Sequence, residues 1–176
     1  LKSHAVKNPN SAAIIEGDCI ISYKEFCKQI ESFASAISEL PLHPKSKVGL
    51  LCLNQKEYLI SLFGCLLKGI PVIPYNFLLK PEDLIFITKD ASIDILIIDS
   101  AFVKPEIIPF FNFFPNKILV GSAEPNQVGE GTQRFNDVLK YGTKENAFVK
   151  HKRETGIPDV ILYTSGTTAK PKGVML

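Results

Sequence analysis

Short apolar runs alternate along this chain with segments in which apolar residues recur at the period of an α-helix. This alternation constrains the fold more than any other feature. Residues 48–53 form a continuous apolar run, which is typical of a strand buried on both faces. Residues 70–75, 93–98 and 117–120 predict three further strands, the first of them near a sheet edge or at irregular backbone because it contains two prolines. Strands and helices in alternation favour right-handed crossovers. The expected fold class is therefore α/β, with a mostly parallel sheet and flanking helices.

The segments between the predicted strands carry helix signals. Ser22 and Glu25 fit a capping box, and an apolar helix face follows until two prolines end it. That face consists of Phe26, Ile30, Phe33, Ile37 and Leu40. Asn54 repeats the cap pattern before a second helix that ends at Gly69. Pro81 is expected to begin a third helix, since proline suits the first helical position.

Outside this alternation, the sequence predicts a hairpin, a short helix and two polar connections. Two β-branched runs within residues 12–21 flank a Gly-Asp pair, which is typical of a hairpin turn. Residues 121–131 are expected to form a polar loop, and residues 135–141 a short helix. Residues 143–156 hold a basic cluster, interpreted as a solvated linker or, alternatively, as a contact to a phosphate or phosphopantetheine group.

Composition excludes several classes of function. The chain has 176 residues, of which 45% are hydrophobic and 22% charged, as expected for one globular domain over residues 1–176. Its 20 basic and 18 acidic residues nearly balance, so there is no electrostatic case for a nucleic-acid partner. The four cysteines lack metal-ligand spacing and are expected to be buried, reduced thiols of a cytoplasmic protein.

No apolar stretch is long and uninterrupted enough to predict a transmembrane segment. The phenylalanine cluster at residues 110–114 is expected to be buried in the core or at an interface with the rest of a longer protein, and the alternative is peripheral contact with a membrane or with an acyl tail. The chain starts at Leu1 rather than Met and ends at Leu176 inside an apolar run. It is therefore expected to be a piece of a longer protein.

The segment that carries chemistry is Tyr163–Gly173, directly after a predicted strand at residues 159–163. Its last ten positions hold four hydroxyl residues, two glycines and two lysines. Small residues let backbone approach an anion, exposed N–H and hydroxyl groups donate to phosphate oxygens, and lysine supplies a point charge. The spacing of a Walker-type loop fails, because Pro171 stands where its second glycine is required. A simple turn needs only two or three such residues, so the composition favours a polyphosphate-binding loop.

Residues 163–175 (YTSGTTAKPKGVM) closely resemble the phosphate-loop signature of the adenylate-forming superfamily. That superfamily includes acyl-CoA synthetases and the adenylation domains of peptide synthetases. Residues 21–26, 47–54 and 69–76 resemble three of its earlier segments, so the resemblance covers nearly the whole chain. It implies the N-terminal part of the large domain of such an enzyme, truncated just after the phosphate loop at 163–173.

The resemblance also implies an activity for the full-length parent. That enzyme would use ATP and Mg²⁺ to activate a carboxylic acid as an acyl-adenylate, then transfer the acyl group to coenzyme A. The residues implied to hold the β and γ phosphates are Thr164, Ser165, Gly166, Thr167, Thr168 and Lys172. The family's catalytic residues and metal ligands lie downstream, so the chain without its missing C-terminal part is expected to be inactive.

One position departs from the family pattern. Ala169 stands where the family usually has glycine, and a positive φ there would cost alanine on the order of 1 kcal/mol. The effect expected is weaker ATP handling rather than loss of activity. Lys170 precedes a proline and is expected to point to solvent rather than to phosphate.

The acid substrate is inferred from a second segment. Residues 76–84 resemble fatty acyl-CoA synthetases more than the Asp-Pro sequence that peptide-synthetase domains often carry there. A medium- or long-chain fatty acid is therefore the expected acid. Two alternatives stay open: an adenylation domain that activates an amino or aryl acid for a carrier protein, and a non-catalytic nucleotide-binding module.

Overall fold

The computed structural model describes residues 1–142, 158–164 and 171–176. It begins with a short helix, α1 (Lys2–Lys7), followed by the antiparallel strands β1 (Ala12–Glu16) and β2 (Cys19–Ser22). Gly17 lies in the turn between these strands with a φ of +57°, a conformation that glycine adopts without strain. The hairpin predicted from the β-branched runs is confirmed.

Helix α2 (Tyr23–Ile37) follows this hairpin directly. The Ser22 hydroxyl accepts a hydrogen bond from the Glu25 backbone N–H at 3.2 Å, which confirms one half of the predicted capping box. The Glu25 carboxylate instead accepts a hydrogen bond from the Gln29 amide at 3.0 Å. The predicted apolar face is buried as far as Ile37, where the helix ends.

A five-stranded parallel sheet forms the centre of the fold. Its strands are β3 (Val48–Leu51), β4 (Val72–Pro74), β5 (Ile95–Asp99), β6 (Asn116–Val120) and β7 (Thr132–Arg134). They lie in the order β4-β3-β5-β6-β7, and every neighbouring pair is parallel. The proline-containing strand β4 is therefore at one end of this five-stranded order. The chain places β4 on one side of β3 and then crosses to the other side for β5.

Helices cover both faces of this sheet. They are α2 together with α3 (Lys56–Leu67), α4 (Pro81–Ala91), α5 (Ile108–Phe111), α6 (Pro125–Val128) and α7 (Phe135–Tyr141). Two 3-10 turns, Ser100–Phe102 and Pro105–Ile107, follow β5. Helix α3 ends before Gly69, which has a φ of +69°. This confirms the prediction that Gly69 terminates the helix.

The two faces of the sheet belong to two separate apolar clusters. Ile95 and Ile97 of β5 pack in the first cluster, with buried residues of α2, α3 and α7. Leu96 and Ile98 pack in the second, with buried residues of α4 and α5. Because successive side chains of a strand point to opposite faces, a central strand covered on both faces, such as β5, is apolar at nearly every position. The continuous apolar runs in the sequence have this cause.

The phenylalanine cluster is mostly part of the second core. Phe110, Phe111 and Phe114 are buried, which confirms the expected burial for these three. Phe113 is exposed, and the Lys89 ammonium lies 5.0 Å from its ring centroid. None of the helices in the ranges described above is long and apolar enough to cross a bilayer.

The last described elements form a second hairpin. Strands β8 (Ile161–Thr164) and β9 (Lys172–Met175) are antiparallel. This hairpin joins the free side of β4 through a parallel bridge between Val72 and Val160. The Val72 N–H also donates to the Asp159 carbonyl oxygen at 3.0 Å. The hairpin therefore continues the central sheet beyond β4.

Several local expectations are wrong. The N-cap of α3 is Gln55 rather than Asn54, and its side chain makes no capping bond. The predicted polar loop at 121–131 contains α6, whose N-terminus has a capping box between Glu124 and Gln127. Neither α1 nor β7 was expected. The basic cluster at 143–156 lies outside the described residues.

The cysteines divide into two classes. Cys52 and Cys65 are buried free thiols, as expected, and burial raises the pKa of each. Cys19 is exposed, which contradicts the expected burial. Its position at the start of β2, opposite Glu16 in a two-stranded hairpin, gives it no core to pack against. Cys27 on α2 is half-buried.

Candidate functional site

The predicted phosphate loop connects β8 to β9. Thr164, the last residue of β8, lies directly opposite Lys172, the first residue of β9. Directly opposed residues of an antiparallel pair project to the same face, with Cβ atoms about 5 Å apart. Both residues are exposed. The hairpin thus presents one hydroxyl and one ammonium group side by side where the loop leaves and returns.

The structure describes two of the six residues implied to bind phosphate. Thr164 and Lys172 are brought together, although eight positions separate them in the sequence. The other four, Ser165, Gly166, Thr167 and Thr168, lie outside the described residues. Ala169 and Lys170 also fall in that gap. Their assignment to phosphate or to solvent remains a prediction.

The two faces of β8 differ in their surroundings. Ile161 is buried in the second apolar cluster, and the Tyr163 ring packs against that cluster. Gly173 lies opposite Tyr163, and a β-carbon at Gly173 would meet the tyrosine Cζ at 3.1 Å and the Ile161 Cγ2 at 3.2 Å. These distances are tighter than ordinary van der Waals contact. A glycine in β9 thus allows the tyrosine ring to lie across the hairpin.

A hydrogen bond links this hairpin to α4. The Tyr163 hydroxyl donates to Oδ2 of Asp90 at 2.5 Å. Burial raises the pKa of Tyr163, and both the hydrogen bond to Asp90 and the negative charge of that residue raise it further. The phenol therefore stays protonated and able to donate at neutral pH. The sequence analysis missed Asp90, because nothing in its local sequence indicates a partner 73 positions away.

The chemical capacity of the described hairpin is anion binding. A lysine ammonium and a threonine hydroxyl both donate hydrogen bonds, and the ammonium also supplies positive charge. Strands β8 and β9 contain no carboxylate, histidine or cysteine that could act as a general base or nucleophile. Within residues 1–142, 158–164 and 171–176, no three His, Cys, Asp or Glu side chains are grouped to hold a metal ion.

Apart from the hairpin, the fold has a polar cleft of about 490 Å³ that opens where β3, β5 and β6 end. It lies at the point where the strand order changes direction, a common place for ligands in α/β sheets. Asp99 on its wall is only 4% exposed and accepts hydrogen bonds from the Gln55 amide at 2.6 Å and the Ala101 N–H at 2.8 Å. The sequence analysis missed this cleft, because its polar residues come from separate loops.

Comparison with known proteins identifies the same group that the phosphate loop resembles. The profile of a family described as AMP-binding enzyme matches residues 1–176. Fatty acyl-CoA synthetase B of Dictyostelium discoideum is 29% identical over 167 residues, covering 89% of this chain and 24% of that protein. A polyketide synthase-nonribosomal peptide synthetase of Phaeosphaeria nodorum, phmA, is 30% identical over 156 residues, covering 89% of this chain but 3% of that protein.

Solved structures share the fold. The anthranilate CoA ligase AuaEII, determined in complex with anthranoyl-AMP, superimposes with a TM-score of 0.84 at 24% identity. The match covers 99% of this chain and 33% of that chain. The chain therefore corresponds to about one third of that ligase, and to 24% and 3% of the two relatives named above.

Proposed function

Since the chain belongs to the family of AMP-binding enzymes, we propose that its β8–β9 loop binds the β and γ phosphates of ATP while a carboxylic acid is adenylated. The observation that carries this proposal is the cross-strand pair of Thr164 and Lys172. The pair provides a donor and a cation at the two ends of the segment that contains the remaining hydroxyl residues and Gly166. The implied ligands between them are Ser165, Gly166, Thr167 and Thr168.

The proposed chemistry is an attack of the acid's carboxylate on the α-phosphorus of ATP. The bond to the bridging oxygen breaks, and an acyl-adenylate and pyrophosphate form. Negative charge develops on the departing pyrophosphate, so donors fixed beside it lower the barrier. In this proposal Lys172 supplies charge and Thr164 supplies a hydrogen bond to those oxygens, while the reacting carboxylate is held by residues outside this chain.

Mg²⁺ and coenzyme A are the other implied reactants. Mg²⁺ prefers carboxylate and phosphate oxygens, and β8 and β9 carry no carboxylate. The proposal therefore assigns no metal ligand to these strands. Coenzyme A is proposed as the acyl acceptor of the full-length protein, with no residue of this chain assigned to it.

A fatty acid is the favoured acid substrate. Two observations support it: the resemblance of residues 76–84 to fatty acyl-CoA synthetases, and the similarity to a protein named fatty acyl-CoA synthetase B. The second candidate is activation of an amino or aryl acid for a carrier protein. It is favoured by the similarity to a protein whose name includes nonribosomal peptide synthetase.

ATP–pyrophosphate exchange tests this proposal directly. The protein expressed from its complete reading frame is assayed against fatty acids, aryl acids and amino acids. Exchange with medium- or long-chain fatty acids supports the first candidate, and exchange with amino or aryl acids alone supports the second. No exchange with any acid would contradict adenylation. The 176-residue chain by itself is expected to form no acyl-adenylate.

Two substitutions test the assigned residues. Lys172→Met and Thr164→Val should each lower kcat/KM for exchange, by about 10- to 100-fold for the lysine because charge-assisted hydrogen bonds are the stronger ones. Lys28→Met is the matched control, since Lys28 is an exposed lysine on the distant helix α2. If Lys172→Met behaves like Lys28→Met, the assignment of Lys172 to phosphate is wrong.

A further inference from the structure

Tyr163 attaches the loop end of β8 to the rest of the fold, through the packing of its ring against the second apolar cluster and through its hydroxyl. Tyr163 immediately precedes Thr164, and its hydroxyl donates to Oδ2 of Asp90 on α4 at 2.5 Å. On the opposite face of the hairpin, Leu162 and Val174 are exposed cross-strand partners. Among the residues with described coordinates, the Tyr163–Asp90 bond is the side-chain hydrogen bond that ties this end of β8 to the rest of the fold.

The other partner of this bond belongs to a firmly held helix. Leu84, Ile87 and Ala91 of α4 are at most 6% exposed and lie in the second apolar cluster. Thr88, one turn from the end of the helix, shares a 2.6 Å hydrogen bond with the buried Tyr75 hydroxyl. Asp90 thus projects from an element whose position the core already fixes.

The base of the hairpin is attached in a different way. Its bridge from Val160 to Val72 and the bond from Val72 to Asp159 lie before β8 begins. Ile161 is buried near this base, and the Tyr163 ring packs against the second apolar cluster, so the bond to Asp90 adds a directional polar contact to that packing. A strand held mainly near its base can pivot, and the displacement grows toward the loop. The contact of Tyr163 with Asp90 lies at the loop end, where such a pivot would move Thr164 most.

We propose that Asp90 and Tyr163 form a clasp that positions the phosphate loop, so that Asp90 is a positioning residue for adenylation although it touches no phosphate. This inference rests on the proposed function for its kinetic consequence. A displacement of about 1 Å in catalytic groups costs on the order of 100-fold in rate. Loss of the clasp should therefore lower exchange without removing any group that binds substrate.

Kinetics of ATP–pyrophosphate exchange by the protein from its complete reading frame provide the first test. Tyr163→Phe and Asp90→Ala should each lower kcat by about 10- to 100-fold while the KM for the acid stays within a factor of two. Asp90→Asn keeps an oxygen that accepts from the phenol, so it should stay within about fivefold of the wild type. The double variant Tyr163→Phe/Asp90→Ala should be no slower than the slower single variant, because both changes remove the same bond.

Tyr75→Phe is the matched control. It also removes a phenol that bonds to α4, at Thr88, but Tyr75 is not in the hairpin. A kcat for Tyr75→Phe close to the wild-type value supports the clasp. A loss of kcat equal to that of Tyr163→Phe would show that any disturbance of α4 slows the reaction, and it would overturn the proposal. Additive losses in the double variant, or wild-type kinetics for Tyr163→Phe, would overturn the proposal.

Hydrogen exchange separates the clasp from the proposed function. In Asp90→Ala and Tyr163→Phe, backbone amides of residues 161–164 and 172–175 should exchange at least tenfold faster, while those of α4 keep their rates. Tyr75→Phe should not accelerate the hairpin amides. If the wild type shows no ATP–pyrophosphate exchange with any acid in the panel, the proposed function fails. The clasp is then judged on these amides alone. Unchanged hairpin amides would overturn it.

Discussion

Replacing Ser61 with alanine is expected to stabilise this fold. Ser61 lies within α3 and is 0% exposed. Its hydroxyl has no hydrogen-bond partner anywhere in residues 1–142, 158–164 and 171–176. A buried hydroxyl without a partner costs about 1–3 kcal/mol, because it gives up its bonds to water and receives none in return. Most buried serines in proteins avoid this cost.

The expected size of the effect follows from three contributions. Alanine removes the desolvation cost of the hydroxyl and adds about 0.5 kcal/mol of helix propensity. Against this, the lost contacts and a hydroxyl-sized void cost roughly 0.5 kcal/mol. The last two contributions cancel, so the free energy of unfolding is expected to rise by about 1–3 kcal/mol. For a chain of this size, that corresponds to an increase in Tm of about 3–9 °C.

Urea unfolding followed by circular dichroism measures this change. The midpoint should rise while the m-value stays constant. Thr88→Val is the control, because this buried hydroxyl is paired with Tyr75 at 2.6 Å and with the Leu84 carbonyl at 2.8 Å. That variant should lose about 1–3 kcal/mol, since it leaves the tyrosine hydroxyl without its partner. A Ser61→Ala protein less stable than the wild type would refute the reasoning.

Burial and close approach lead to three other expectations. A thiol reagent such as DTNB should label Cys19 in the folded chain and reach Cys52 and Cys65 only after unfolding. The reason is that Cys52 and Cys65 are buried, which raises the pKa of these two thiols. Equal labelling rates for the three cysteines would contradict this expectation. Above pH ~9, the unfolded thiols ionise and the buried ones do not, so each buried thiol should lower stability by about 1.4 kcal/mol per pH unit. In Cys65→Ala, this decline of stability with pH should be less steep, as measured by urea titrations between pH ~8 and ~10. An unchanged slope would contradict a contribution of the Cys65 thiol to the decline. Gly142→Ala should lose about 1–3 kcal/mol in the same assay, since the added β-carbon would overlap the Ser32 carbonyl oxygen; an unchanged midpoint would show that α7 shifts freely.

Elements with their own start and stop residues were predictable from the sequence. Pro81 is the first residue of α4, and α7 ends immediately before Gly142. Strand β5 was predicted because a fully buried strand has to be apolar at every position. In each case, the information lies within a few residues of the element.

The elements that were missed depend on distant partners. Strand β7, with the sequence TQR, has no apolar signal and is a strand because its backbone pairs with β6. Tertiary pairing here overrides weak local preference. The N-cap of α3 was placed one residue too early, at Asn54 instead of Gln55, because the stronger capping residue does not occupy the cap position.

In the candidate site, too, a local motif predicted some features, and others depend on residues far apart in the sequence. The motif indicated Thr164 and Lys172 as phosphate-binding residues, but only the strand register shows that they face each other. The hydrogen bond between Tyr163 and Asp90 joins residues that are 73 positions apart, and no local pattern encodes it. Contacts of this kind require the three-dimensional arrangement of the sheet and α4.

The attachment of the hairpin to β4 also has a consequence for the order of folding. Val72 and Val160 form their bridge only after residue 160 has been synthesised, whereas β3, β4 and β5 can pair once residue 99 has been synthesised. Contacts between distant residues carry a larger loop-closure cost and form slowly. Apart from the Ile161 and Tyr163 side chains, the two apolar cores can therefore assemble before the hairpin docks. A nascent chain would acquire the five-stranded sheet before its phosphate loop.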